Sequence, residues 1–279
     1  MDLAEYRKSS HDIWQKMAPG WDRRQKWTWD ATRPVSEWMV AKLDPQPGQT
    51  ILELAAGIGE TGSAAAARLG DAGRLIATDF ASDMLDAAAR RARELGLSNA
   101  EFRVMDAERM DLDDDSVDGV LCRFGYMLMA DPARALAETR RVLRDGGRLS
   151  LSVWGSLEDN PWAALGGGAL VAQGHMPMPQ PGEPGIFAMG SEERIRELLG
   201  PAGFERVEVE AIPVEWRFDD FDDYWLFLRE MAGAVALVLE RLTDDERAEV
   251  RGLLERNTAG FRANGAYVLP GVALNAVAS

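Results

Sequence analysis

The sequence predicts an α/β fold: a seven-stranded, mostly parallel sheet with helices on both faces and a helical cap. Three observations support this prediction. Short apolar runs alternate with amphipathic segments between residues 50 and 154, a glycine-rich turn joins the first run to an alanine-rich helix, and a tryptophan-rich helical segment precedes them. A chain of 279 residues, 46% of them hydrophobic, is long enough to bury a substantial core.

The elements follow one another in a regular order. The first five candidate strands are residues 50–55, 74–79, 101–105, 117–123 and 148–154. The helices predicted among them are residues 61–69, 82–95 and 131–144, the last ended by Asp145-Gly146-Gly147 with a glycine C-cap. The remaining pattern predicts a helix at 192–200, a strand at 207–214, helices at 221–240 and 244–263, and a last strand at 266–278.

The chain divides into four parts. Residues 1–48 form an N-terminal helical cap segment, 49–155 the ligand-binding core, 156–190 an insertion or lid, and 191–279 the C-terminal part of the core with inserted cap helices. The insertion is assigned from a run of three glycines and from four prolines, which are typical of an irregular, mobile segment.

The composition argues against several classes of partner. A net charge of −15, with most arginines lying among acids, disfavours nucleic acid. No apolar run reaches the ~18 residues of a membrane span, and the first residues lack the apolar region of a secretory signal. A single cysteine, Cys122, and two histidines argue against a disulfide and a metal site. We therefore expect a cytoplasmic protein that acts on a small molecule.

The segment Ile51–Gly62 carries the strongest functional signal. Gly57, Gly59 and Gly62 follow an apolar strand in the pattern G-x-G-x-x-G, and Asp79 lies about twenty residues beyond, after a second apolar run. Such a turn lets a ligand touch the backbone at a helix N-terminus. Glu53, four residues before the first glycine, favours a cationic ligand over a pyrophosphate.

The arrangement E-x-x-x-G-x-G resembles motif I of class I S-adenosylmethionine-dependent methyltransferases, which have a Rossmann-like fold. The similarity covers residues 48–154 well and 191–279 loosely, and it is greatest to the quinone-biosynthesis-type branch that methylates small molecules. It implies S-adenosylmethionine as the cofactor, bound at a first turn formed by Glu53, Ala55, Gly57 and Gly59.

The resemblance also implies roles for residues after the next strands. Asp79 matches the family acid that holds both ribose hydroxyls, and Phe80 and Met84 stand where the family contacts the adenine ring. Asp106 matches the acid that accepts a hydrogen bond from the adenine amino group, and the N–H of Ala107 donates to the ring.

Arg123, after the fourth strand, has several possible partners: the donor's carboxylate, an anionic substrate, Asp131 or Glu138. His11 and His175 are the candidate catalytic bases, because family members place both regions over the methyl donor. Two further candidates for this role are Tyr126 and Tyr224. Methyl transfer from a sulfonium mainly needs alignment and exclusion of water, so a base is required only when the acceptor must lose a proton.

Several alternatives stay open. The tryptophans of the cap either line a site for a flat, apolar substrate or anchor the cap helices to the core. The function predicted is methylation of a small, largely apolar metabolite on oxygen or carbon by in-line transfer. The alternatives are a non-catalytic S-adenosylmethionine-binding module and an NAD-dependent oxidoreductase. The oxidoreductase is disfavoured by Glu53. It is also disfavoured by the lack of a Tyr-x-x-x-Lys pair, since no lysine occurs after Lys42.

Overall fold

The computed structural model describes residues 2–180 and 182–279, so Met1 and Pro181 of the predicted cap and insertion lie outside the described residues. Its strands are β1 (Thr50–Glu53), β2 (Arg74–Asp79), β3 (Ala100–Val104), β4 (Val117–Arg123), β5 (Leu143–Trp154), β6 (Val207–Phe218), β7 (Arg262–Ala263) and β8 (Ala266–Ala278). They form one sheet in the order β3-β2-β1-β4-β5-β8-β6, with the two-residue β7 paired to β8. Strands β1 to β5 are parallel, and β8 is antiparallel to β5 and β6. The predicted seven-stranded, mostly parallel sheet is confirmed.

Ten helices surround this sheet in the described part of the chain. They are α1 (Leu3–Arg23), α2 (Gln25–Leu43), α3 (Glu60–Leu69), α4 (Ser82–Glu94), α5 (Pro132–Val142), α6 (Pro161–Ala172), α7 (Glu192–Leu199), α8 (Phe221–Met231), α9 (Ala234–Arg241) and α10 (Asp244–Thr258). Side-chain caps fix several starts; Thr243 and Glu246, for example, form a reciprocal capping box on α10. None of the described helices combines the length and apolar character needed to cross a membrane.

The central strands bring the polar ends of the motifs together. The interiors of β1, β2 and β4 are buried, which is typical of parallel strands covered by helices on both faces. Glu53 is paired in register with Ala77 of β2 and Leu121 of β4. The carboxyl ends of the three strands therefore meet at one edge, where open α/β sheets bind ligands.

One predicted boundary is wrong. The helix expected over 131–144 ends at Val142, and the glycines that follow do not cap it. Leu143 is already extended and pairs with Val117 of β4, and the register then jumps to Arg148 opposite Gly119. Pairing with the neighbouring strand therefore outweighs the local helix-ending signal, and Gly146 lies in the resulting bulge.

The cap regions differ more from their predictions. Part of the 156–190 insertion is α6, and its glycine run lies inside that helix, where Gly166 packs closely against Leu228 of α8. The predicted helix 221–240 is broken at Ala232 and Gly233 into α8 and α9, and the predicted helix 244–263 ends at Thr258.

Candidate functional site at the carboxyl edge of the sheet

Glu53 lies at the end of β1, directly beneath the glycine turn. Its side chain is buried, and Oε1 accepts the Gly62 N–H over 2.7 Å. The N-cap residue of α3 is Gly59, which has no side chain to accept a hydrogen bond from the first turn of the helix. Glu53, on the strand, therefore supplies the acceptor for one of these N–H groups. A Cβ on Gly62 would overlap the Glu53 carboxylate, so the third glycine of the motif makes room for the acid.

The environment of Glu53 favours its neutral form. Burial raises the pKa of this carboxyl to about 7, and the hydrogen bond from Gly62 and the charge of Arg123 only partly oppose the rise. Glu53 Oε2 is buried without a hydrogen-bond partner. The direct role of Glu53 in this structure is therefore to hold the turn and the first turn of α3 in place.

The backbone of the turn is held in unusual conformations. Ala55, Gly57 and Gly59 all have positive φ, of 49°, 54° and 78°. For Ala55 this conformation stores about 1 kcal/mol or more of strain, which is common at binding sites. A Cβ on Gly57 would meet nothing within 4 Å. The backbone of Gly57 therefore borders open space, where a ligand can contact it directly.

Asp79 ends β2 and faces the same turn. Its Oδ2 accepts the Gly57 N–H and its Oδ1 accepts the Ala81 N–H, both over 2.9 Å. Burial raises the pKa of Asp79 to about 6, and these backbone hydrogen bonds limit the rise, so the carboxylate is mostly ionised at neutral pH. Each oxygen keeps a lone pair for a second donor, an arrangement suited to a vicinal diol.

An apolar cluster flanks Asp79 on the side of the cap. Its buried members are Ala18, Ile58, Ala81, Met84 and Ala87, against which Trp14, Trp21 and Phe80 pack. The ring of His11 lies edge-on to Phe80 with 5.6 Å between the ring centroids, and the charge of His11 acts on the Asp79 pKa. The structure thus places Phe80 and Met84 beside Asp79, and His11 packs on Phe80.

Asp106 and Ala107 follow β3 at the same edge. Asp106 is exposed, and its Oδ1 accepts the Glu108 N–H over 2.9 Å, which shapes the turn after the strand. Ala107 is half-buried. Both residues stand one strand beyond Asp79 at the same edge.

Helix α1 is tied across this edge by two residues that sequence reasoning missed. Arg7 forms an ion pair with buried Glu108, with its Nε donating over 2.9 Å. Tyr6 donates its hydroxyl to the Leu128 carbonyl over 2.9 Å. Neither contact has a local sequence signal, because each joins residues more than 100 positions apart.

Arg123, at the end of β4, is occupied by partners within the protein. Its guanidinium pairs with buried Glu60 at the start of α3. The sequence analysis does not predict this pair. The predicted pairing with Asp131 or Glu138 is wrong, because Asp131 caps α5 and Glu138 pairs within α5. The neighbouring positions of β1 and β4 instead bring Arg123 to the helix that follows β1. A contact of Arg123 with the donor's carboxylate would have to compete with Glu60.

Aromatic rings form the other half of the edge. Phe124 stacks on Trp154, with 4.1 Å between centroids and 9° between planes. Trp154 in turn contacts Trp162 and Trp216. Trp27 of α2 packs on Trp216 and donates its indole N–H to the Arg217 carbonyl over 2.7 Å. Trp27 therefore anchors the cap helices to the core, as one of the two alternatives predicts, and Trp14 and Trp21 pack against the apolar cluster that follows Asp79.

The other candidate bases lie away from Asp79 or are already engaged. His175 follows α6 and lies near Glu246 of α10, whose pKa is lowered mainly by hydrogen bonds from Thr243 and only slightly by His175. The Tyr126 hydroxyl shares a hydrogen bond with Thr139, and the Tyr224 hydroxyl donates to the Trp162 carbonyl. Burial raises the pKa of both tyrosines. The structure therefore gives the tyrosines a structural role.

A separate cleft of about 730 Å³ opens at the opposite edge of the sheet. Thr50, Arg74 and Val117, which begin their strands, line it. The arginines that line this cleft are paired with carboxylates (Arg74 and Arg103 with Glu101, Arg141 with Glu138, Arg144 with Asp118). The cleft is therefore charge-balanced and separate from the site at the carboxyl edge.

Comparison with known proteins assigns this architecture to a class. A family described as "Methyltransferase domain" matches residues 51–147. The chain is 34% identical over 196 residues to the ubiquinone/menaquinone biosynthesis C-methyltransferase UbiE of Acidiphilium cryptum. The aligned region covers 64% of this chain and 78% of that protein. It is 38% identical over 115 residues to the demethylmenaquinone methyltransferase of Clavibacter sepedonicus, covering 40% of this chain and 45% of that protein. The chain spans 38 to 43% of the length of several further relatives.

The fold is shared more widely. The Haemonchus contortus phosphoethanolamine N-methyltransferase 2 in complex with S-adenosyl-L-methionine superposes with a TM-score of 0.53 at 17% identity, over 88% of this chain and 52% of that chain. The chain belongs to the class I S-adenosylmethionine-dependent methyltransferases, in the quinone-biosynthesis-type branch. S-adenosylmethionine is therefore its cofactor.

Proposed function

We propose that this methyltransferase transfers a methyl group to a small, largely apolar acceptor: a hydroxylated aromatic, quinone or polyketide-like metabolite, methylated on oxygen or carbon. The observation that carries the proposal is the pairing of two surfaces at one edge. A glycine turn with the buried Asp79 carboxylate stands beside the stacked rings of Phe124 and Trp154. The names of the relatives, a C-methyltransferase and a demethylmenaquinone methyltransferase, support an acceptor of this kind.

The residues of the donor half fit the cofactor. The open space at Gly57 leaves room for a ligand against the backbone, and Asp79 has lone pairs for the two ribose hydroxyls. Phe80 and Met84 would hold the adenine ring between apolar surfaces, and Asp106, with the Ala107 N–H, would contact its edge. When bound, S-adenosylmethionine supplies a methyl group already activated by its sulfonium charge.

The work left to the protein is alignment and exclusion of water. Helix α1 contributes by covering the edge through the Tyr6 and Arg7 contacts. Of the two candidate bases, His11 lies beside Phe80, on the adenine side of the donor half, and His175 lies near α10. If the acceptor must lose a proton to His11, His11→Ala should lower turnover ~10²–10⁴-fold while donor affinity is unchanged.

We also propose that the acceptor is not a nucleic acid and that the protein acts in the cytoplasm. The acidic composition supports a small metabolite as acceptor and argues against nucleic acid. Asn160-Pro161-Trp162, which resembles a nucleic-acid methyltransferase motif, is engaged structurally: the Asn160 side chain bonds the backbone of Val272. A single cysteine supports action in the reducing cytoplasm.

Transfer of a labelled methyl group tests the proposal directly. Purified protein and tritiated S-adenosylmethionine, kept near the wild-type dissociation constant, are incubated with a metabolite extract of the source cell, with Asp79→Ala as the variant of weakened donor binding and Asp71→Ala, an exposed acid, as the matched control. We expect label in an organic-soluble product with the wild type and Asp71→Ala, and less label with Asp79→Ala. Binding of S-adenosylhomocysteine without any labelled product would favour a non-catalytic module. Tight binding of NAD with no binding of S-adenosylhomocysteine would favour an oxidoreductase.

A further inference from the structure

Strand β3 forms an open edge of the sheet. It lies at the end of the strand order and, in the part of the chain that the structure describes, pairs with β2 alone. The Asn99 carbonyl accepts the Leu75 N–H over 2.8 Å, and the Met105 N–H donates to the Asp79 carbonyl over 3.0 Å. Backbone groups alternate in direction along a strand, so the odd-numbered residues of β3 bond to β2. The residues whose N–H and C=O groups point away from the sheet are therefore Ala100, Phe102 and Val104.

The side chains of this edge are arranged symmetrically. From Ala100 to Val104 the sequence is A-E-F-R-V, with Glu101 and Arg103 on either side of Phe102. Glu101 and Arg103 are 39% and 37% exposed and pair with each other on one face of the strand. On the other face, Val104 is 65% exposed and Phe102 is half-buried against the core. An open strand thus carries opposite charges on one face and apolar side chains on the other.

We propose that β3 pairs with β3 of a second copy of this chain, antiparallel about a two-fold axis at Phe102, so that the two sheets become one continuous sheet. In this register Phe102 exchanges both backbone hydrogen bonds with its counterpart, and Ala100 does so with Val104 of the second copy. Glu101 then lies directly opposite Arg103 of the second copy, and the symmetry repeats this contact. The inference goes beyond the proposed function and does not depend on the acceptor.

The charges favour this register over its neighbours. A two-fold axis at Glu101 or at Arg103 would place identical charges directly opposite each other, which is destabilising. Many edge strands are protected from pairing by lysine, proline or a bulge. β3 contains neither lysine nor proline, and its register with β2 runs without a shift. The two charges that it carries oppose pairing only when each meets its own sign, and the axis at Phe102 avoids this.

Charge reversal tests the pairing. Sedimentation velocity between about 1 and 100 μM gives the dissociation constant of the wild-type dimer, which we expect to form in this range. Glu101→Arg and Arg103→Glu each place like charges opposite each other twice and should raise this constant roughly tenfold or more. The double variant, Glu101→Arg with Arg103→Glu, restores opposite charges and should recover the dimer. Glu193→Arg, the same reversal at an exposed position of α7, is the matched control and should bind like the wild type.

A proline substitution tests the backbone part of the pairing. Val104→Pro removes an N–H that points away from β2, so the strand should keep its pairing within the chain while the dimer weakens. Val104→Ala keeps this N–H and should weaken the dimer less, and circular dichroism shows that both variants fold. A wild type that stays monomeric at about 100 μM would overturn the proposal. So would a dimer that neither charge reversal weakens, or one that Val104→Pro and Val104→Ala affect equally.

Discussion

The two halves of the carboxyl edge are built from different materials. At the ends of β1, β2 and β3, carboxylates meet backbone N–H groups that are close in sequence: Gly62 donates to Glu53, nine residues away, and Gly57 to Asp79, 22 residues away. At the ends of β4 and β6, side chains meet partners from distant segments. Tyr6 reaches Leu128, 122 residues away, and Trp27 reaches Arg217, 190 residues away.

We relate this difference to the two proposed tasks of the edge, which are binding of the cofactor and binding of the acceptor. The donor half has to present fixed hydrogen-bonding groups to one cofactor, and backbone groups of a short motif do this with little side-chain freedom. Under the proposed function, the acceptor half has to fit one substrate, and its surface comes from rings that only tertiary packing brings together. Substitutions in the first half should therefore affect folding and donor binding, and substitutions in the second should affect the acceptor.

The largest effect is expected at Gly62. Gly62→Ala would place a methyl group onto the buried Glu53 carboxylate, displacing it from the N–H that it accepts. We expect a loss of roughly 3 kcal/mol or more in the free energy of unfolding, measured by urea denaturation. Gly167→Ala is the matched control, since a Cβ there meets nothing within 4 Å inside α6 and should raise stability by about 0.5–1 kcal/mol. Equal stability of Gly62→Ala and the wild type would show that Glu53 does not depend on this glycine.

The second effect is a pH dependence centred on Glu53. Its folded pKa of about 7 lies above the ordinary value of 4.5, so the folded chain keeps a proton that the unfolded chain has lost between these values. The stabilisation is fully present below pH 4.5 and is lost as the pH rises through 7, amounting to up to about 3 kcal/mol. Glu53→Gln keeps an acceptor for Gly62 and should show a flatter stability curve in this window. Parallel curves of stability against pH for the wild type and Glu53→Gln would show that this pH dependence does not come from Glu53.

A smaller effect concerns the donor. Asp79→Ala removes both acceptor oxygens offered to the ribose and should weaken S-adenosylhomocysteine binding by about 1–3 kcal/mol in calorimetry, roughly 5- to 150-fold. Asp71→Ala removes the same charge from an exposed turn and should bind like the wild type. If both variants bind equally well, Asp79 has no contact with the donor.

The smallest effect is expected where α1 crosses the edge. Arg7→Ala breaks the pair with Glu108, but Arg7 is 36% exposed, so we expect about 1 kcal/mol or less and faster amide exchange in α1. Lys8→Ala is the control, because its pair with Asp12 is exposed and lies within α1. Similar exchange rates in the two variants would argue against a tie through Glu108.

The sequence predicts the core well because the core obeys local rules. The strands from 50 to 123 and the turn at Gly57 follow from apolar periodicity and glycine spacing, and the structure confirms them within a few residues. The placement of Asp79, Phe80 and Met84 beside this turn follows from the shared edge of parallel strands.

The remaining errors involve competition from distant residues. Leu143 leaves its helix because β4 offers a pairing partner, and the glycine run lies inside α6, where Gly166 packs closely against Leu228 of α8. Arg123 pairs with Glu60, whose place at the start of α3 becomes visible only when β1 and β4 are neighbours. No local pattern marks Phe124 as stacked on Trp154.

A crystal structure with bound S-adenosylhomocysteine tests the division of the edge most directly. We expect the ribose on Asp79, the adenine beside Asp106 and Phe80, and the sulfur directed toward Phe124 and Trp154. A sulfur that points away from these rings, or a ligand bound in the cleft at the opposite edge, would contradict the account.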